Sequence, residues 1–112
     1  MSRPHLNRAL TLEEAVDLPD GAGGFTRSWQ ALGVLWAELR PGSGRERAGD
    51  GAALSLSAYR ITLRAAPVGH PTRPRPDQRF RDGTRLFRIL AVAEADTRGR
   101  YLLCTAQEEV VT

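Results

Sequence analysis

The sequence predicts an all-β fold: a small antiparallel β-barrel of five or six strands, with two long loops and room for one short helical turn. Three observations carry that expectation. Glycines and prolines punctuate the chain about every ten to fifteen residues, which suits short strands joined by turns. Between them no stretch sustains the apolar repeat of an amphipathic helix. Residues 59–64 alternate strictly, with Tyr59, Ile61 and Leu63 set against Arg60, Thr62 and Arg64. That two-residue period marks a half-buried strand.

In chain order, Leu6 to Val16 reads either as a strand, through the alternation around Leu10 and Leu12, or as a short helix. Leu18-Pro19-Asp20-Gly21-Ala22-Gly23-Gly24 is a turn, because proline presets φ and glycine accepts positive φ. Phe25 to Trp29 is a short strand, and Gly33 to Arg40 is another. The second places Val34 and Trp36 on one face and Leu35, Ala37 and Leu39 on the other, so both faces should be covered, by core or by another subunit. Residues 41–53 form a glycine-rich loop beginning Pro41-Gly42-Ser43-Gly44-Arg45-Glu46-Arg47, and a loop this long in a small domain is functional or disordered. Ser55 to Ala65 is the alternating strand. Residues 67–82, with prolines at 67, 71, 74 and 76, read as an extended loop. Thr84 to Ala93 and Tyr101 to Ala106 form a hairpin across Asp96-Thr97-Arg98-Gly99, and the tail from Glu108 frays.

Residues 1–112 are room for one domain. Its core is thin, because fifteen of the hydrophobic residues are alanine. All sixteen basic residues are arginine, against thirteen carboxylates, for a net charge of +3. Arginine makes planar, bidentate contacts with carboxylate and phosphate and tolerates interfaces better than lysine. The N-terminus leads into no signal-length apolar run, and the longest apolar stretch, 31–37, is too short to span a bilayer. A soluble protein of the cytoplasm, or of a particle assembled there, is expected, with no membrane partner.

The residue inventory argues against an enzyme. Cys104 is the only cysteine, which excludes an internal disulfide and a multi-cysteine zinc site. His5 and His70 have no neighbour at ligand spacing, so no metal or cofactor is expected. A Cys104–His70 nucleophile pair is open to spacing alone, but a buried hydrophobe in the last strand is the simpler role for Cys104. Gly21 to Thr26 lacks the Lys-Ser/Thr of a phosphate loop, and Thr26 stands where a dinucleotide fingerprint needs glycine. Glu13-Glu14 and Glu108-Glu109 point to opposite faces of a strand and make no dyad. Six arginines fall between Pro71 and Arg88, at 73, 75, 79, 81, 85 and 88, against Asp77 and Asp82. Such a segment suits an acidic partner surface, a solvated loop or phosphates without base readout. A free-standing nucleic-acid-binding barrel of the OB or SH3-like kind is the competing reading. It would expose aromatics on a strand face, whereas Trp36, Tyr59 and Phe87 read as core.

The order of these features carries a resemblance. An Asp20/Gly23-Gly24 turn leads to Trp29, then Val34-Leu35-Trp36-Ala37-Glu38, then a glycine-rich loop with Gly44 and Glu46. Ile61-Thr62-Leu63-Arg64 follows, then Asp82-Gly83 with Arg85-Leu86-Phe87-Arg88-Ile89, and last Arg100-Tyr101-Leu102-Leu103-Cys104. Across residues 6 to 108 this resembles the head–tail joining family of long-tailed bacteriophages and phage-like gene transfer agents, the head-closure or stopper connectors. The long Pro/Arg-rich stretch at 67–79 and the absence of lysine depart from it. The resemblance implies a structural virion protein at the head–tail interface, a ring of itself, with a hexamer favoured over a dodecamer. An adaptor would lie above, a tail-terminator or tail-tube protein below, and packaged double-stranded DNA in the channel. It implies a channel loop at Gly42, Gly44, Arg45, Glu46, Arg47, Gly49 and Gly51. Subunit or ring contacts are expected at Arg73, Arg75, Arg79 and Arg81. The barrel core is expected at Trp36, Tyr59, Ile61, Leu63, Phe87 and Ile89.

Overall fold

The computed structural model describes residues 3–42 and 57–109, and all that follows concerns those residues. They form six strands, β1 (Arg8–Pro19), β2 (Phe25–Pro41), β3 (Ala58–Arg64), β4 (Arg79–Asp82), β5 (Arg85–Glu94) and β6 (Tyr101–Glu109). All pairings are antiparallel, and they close a barrel in the order β1-β2-β3-β6-β5-β4. The short β4 is the closing piece, paired to β1 on one side and β5 on the other.

The core follows the two-residue period. Leu10 and Leu12 of β1, Ala37 of β2, Ile61 and Leu63 of β3, and Phe80 of β4 point inward. Phe87 and Ile89 of β5 and Leu102, Cys104 and Ala106 of β6 complete the cluster. Each large side chain buried here stabilises the fold by roughly 1.5–3 kcal/mol. Tyr59 is half-buried and meets Phe87 edge-on, with ring centroids 5.1 Å apart.

Four sequence expectations are corrected. Trp36 is not core: it is 58% exposed, because Ala37 takes the inward position and the pleat turns Trp36 outward. The segments 25–29 and 33–40 are not two strands. They are one strand, β2, which stays in register with β1 through a bulge that leaves Leu32 between the Leu12–Gly33 and Glu13–Ala31 pairs. Residues 79–82 are not loop but β4, held from both sides. No helical turn occurs among the described residues, and Leu6 to Val16 resolves into the start of β1.

Beyond the bulge, Glu14 to Pro19 of β1 pair with β2 alone, so residues 14–30 leave the barrel as a two-stranded arm. The molecule is elongated, 54 Å along one axis against 37 and 23 Å along the others. At its tip Asp20 Oδ1 accepts hydrogen bonds from the backbone N–H of Ala22 (2.8 Å) and Gly24 (3.0 Å). Gly21 and Gly23 take positive φ, 81° and 86°, as this turn requires.

Candidate functional site

Antiparallel order sorts the connections between two opposite ends of the barrel. One end carries the arm, the connection 65–78 and the β5–β6 turn. The other carries the N-terminal segment, the β4–β5 turn, Gly42, Ser57 and the end of β6. Gly42 and the connection 65–78 therefore lie at opposite ends.

At the arm end the sequence places its acids and arginines in register. Glu13 pairs across the sheet with Arg79, and Thr11 with Arg81, so Arg79 and Arg81 flank Glu13 on the outer face. Arg79 Nε and Arg81 Nε each donate to a Glu13 carboxylate oxygen at 2.7 Å. The Glu13 side chain is only 7% exposed. Burial works to raise its pKa, but the hydrogen bonds and charges of Arg81 and Arg79 outweigh that and hold it below the ordinary range. The Arg79 guanidinium also lies 3.9 Å from the centre of the Trp29 ring, a cation–π contact that ties the root of the arm to β4.

The connection 65–78 is a fitted strap rather than a free loop. Pro74 is fully buried and Gln78 nearly so. Gln78 Nε2 and Arg75 NH2 both donate to Glu14 Oε1, and Arg73 NH1 donates to the Ala66 carbonyl at 2.8 Å. His70 stays on the exposed strap, bonded to Thr72, while Cys104 lies in the core. Burial pushes the Cys104 thiol up to about 12, which makes it a poor nucleophile at neutral pH. Among the described residues no three His, Cys, Asp or Glu side chains come together as metal ligands.

At the opposite end Arg85 makes a bidentate pair with Glu108, at 2.9 and 3.0 Å, and donates to the Tyr59 hydroxyl. The bond from Arg85 holds the Glu108 carboxyl low. Arg8 pairs with Asp82 at 2.8 Å. Gly42 N–H donates to the Ala58 carbonyl at 2.7 Å, and a β-carbon at residue 42 would stand 3.0–3.2 Å from Ala58 atoms, so a larger residue requires Ala58 to give by a few tenths of an ångström. Of the expected channel loop, Gly42 is placed here. Gly44, Arg45, Glu46, Arg47, Gly49 and Gly51 lie outside the described residues.

Eight arginines of the described residues are thus paired with carboxylates, at positions 8, 27, 40, 75, 79, 81, 85 and 88. Sequence reasoning found the arginine cluster but missed these partners, which lie 61 to 68 residues away for Arg75, Arg79 and Arg81. It placed Val34 and Trp36 together on one apolar face of β2, but missed the apolar side chains that the arm exposes. Val34 (62%) and Trp36 (58%) are exposed on β2, and Phe25 (71%) and Leu18 (51%) on the arm. An open groove of about 380 Å³ on the outer side of β2, β3 and β6 is lined by Glu38, Arg40, Thr62 and Tyr101 with Arg3 and Pro4.

A family model described as phage head completion protein matches residues 1–109. No curated protein matches the chain. Among solved structures, a chain in the virion of a native gene transfer agent particle is 59% identical, over 98% of this chain and 100% of that one, with a TM-score of 0.76. Protein SF1141 from Shigella flexneri 2a, solved in solution, is 20% identical over the full length of both chains, with a TM-score of 0.74, a likeness of fold.

Proposed function

Because the chain belongs to the phage head completion protein family, a family of structural components of phage-like particles, we propose that it forms a ring joining the head to the tail and helps close the DNA channel. The 59% identity to a chain of a gene transfer agent virion carries this reading and favours such a particle as its setting. The two-ended barrel supports it, since a connector must meet one partner above and another below. In this reading the ring is a hexamer, with an adaptor protein on one side and a tail-terminator or tail-tube protein on the other. The connection that leaves β2 at Gly42 takes the channel-closing role, with Arg45 and Arg47 toward DNA phosphates. Of the four arginines assigned to ring contacts, Arg79 and Arg81 are committed to Glu13. Arg73 donates to the Ala66 carbonyl, and Arg75, though paired with Glu14, keeps its side chain 70% exposed toward a partner.

With Trp36 exposed, aromatic placement alone no longer separates a connector from a nucleic-acid-binding barrel. The pairing of the arginines bears on it instead: Arg79 and Arg81, on the same outer face as Trp36, are both held by Glu13, which favours a protein surface there. The test is electron microscopy of particles made with and without the protein. Tailless heads that lose DNA are the expected result, and normal tailed, filled particles would overturn the reading.

A further inference from the structure

The outer face of the β1–β2 ribbon carries apolar side chains at both ends, with Thr11, the Glu13 cluster and the Arg27–Asp17 pair between them. Register places Phe25, Trp29, Ala31, Val34 and Trp36 of β2 on this face, opposite Pro19, Ala15, Glu13, Thr11 and Ala9 of β1. Its charges are internally matched: Arg27 pairs with Asp17, and Glu13 is buried under Arg79 and Arg81. From Phe25 to Trp36 the ribbon is twelve residues long. Two strands of that length cover on the order of 400 Å², within which Val34 and Trp36 at one end and Phe25 at the other are the exposed large apolar side chains. That area is about half of what one partner contributes to a standard interface. The ribbon also keeps an open edge, because β2 pairs with β3 only from Ala37 onward.

A second apolar face lies on β5 and β6. A bulge between Ile89 and Ala91 turns both Leu90 and Ala91 outward, and Ala93, beside Leu103 of β6, follows on the same side. Leu90 is 47% exposed. The closed order of the six strands sets β1 opposite β6 and β2 opposite β5, so the two faces look away from each other across the barrel. One presents large side chains, Trp36, Val34 and Phe25. The other presents Leu90, Ala91 and Ala93 beside Thr105 and Leu103.

We propose that one copy of the chain docks its β1–β2 outer face, through Trp36 and Val34, against the β5–β6 outer face, at Leu90, Ala91 and Ala93, of the next copy. A second copy is the occupant the surfaces argue for. Two unlike apolar faces on opposed sides of one barrel make a head-to-tail contact, which leaves no face bare once the ring closes. A two-fold dimer would use one face and strand the other. This inference rests on the ring reading above and deepens it by naming the surfaces.

The test uses paired cysteines in the assembled particle, where Cys104 is silent because it is buried. Ala9, opposite Trp36, and Ala93 are both exposed, so Ala9→Cys and Ala93→Cys leave the fold intact. A short bis-maleimide should link the double variant into a ladder running from dimer to the closed ring, and should leave each single variant monomeric. Dimers from Ala9→Cys alone would overturn the head-to-tail arrangement. A chain present in particles yet unlinked in the double variant would overturn the assigned faces while leaving the ring reading standing. Absence of the unaltered chain from particles would remove the ring reading, and the inference with it. Independently, Trp36→Glu should lower the copies per particle at least tenfold while the purified chain unfolds at the unaltered midpoint. Unchanged incorporation would count against the face.

Discussion

Glu13 is the residue on which the geometry of the arm turns. It is an acid on the outer face of a strand, yet nearly buried, because two arginines from β4 close over it and one of them stacks on Trp29. Glu13→Gln keeps the shape but leaves two guanidinium groups without their anion, and should cost about 1–3 kcal/mol in urea unfolding. The pH dependence has a definite sign. The folded pKa of Glu13 lies below its ordinary value of 4.5, so its stabilisation is present above that value and is lost as pH falls through the folded pKa. Between neutral pH and pH 3 the unaltered chain should therefore lose more stability than Glu13→Gln. Equal losses would show that the arginines do not hold the ionised form. The sequence displayed these arginines but not their role. Glu13 and Arg79 are 66 residues apart, and only the closure of the barrel by β4 brings them together.

At the scale of the element, the arm is the feature that a barrel alone does not need. A two-stranded ribbon is marginal in water by itself. This one is anchored at its root by the Glu13 cluster and Trp29, and at its tip by the Asp20 turn. Replacing residues 16–28 with Asn-Gly would close the hairpin directly on the Ala15–Trp29 pair. Because the residues removed are mostly exposed, the shortened chain should unfold cooperatively, within about 1 kcal/mol of the full chain. It should fail to enter particles, and normal incorporation would show the arm to be dispensable. The alternation at 59–64 was legible because that strand pairs without interruption on both sides. β2 was read as two strands because its bulge at Leu32 breaks the local period, and a bulge is a property of the pairing rather than of one strand. Trp36 was placed on the correct side of its strand relative to Leu35 and Ala37. Which side faces the core was decided elsewhere in the sheet, by Leu10 and Leu12.

For the molecule as a whole, the thin, alanine-rich core and the excess of arginine take on a common sense. The barrel interior is filled by a small set of large side chains, and many of the alanines instead lie on outer faces, at 9, 31, 91 and 93. Among the described residues eight arginines answer carboxylates, five of them on neighbouring strands, so much of the basic charge is matched locally. What remains is a two-ended barrel with opposed apolar flanks, a shape suited to a ring between two other rings. The most direct measurement is cryo-electron microscopy of the particle neck, with the chain located by its six-stranded barrel and protruding arm. The expected result is a closed ring of copies between head and tail, each barrel's β1–β2 flank against its neighbour's β5–β6 flank. Barrels found in the capsid wall or at the tail tip, or absent from the neck, would contradict the account.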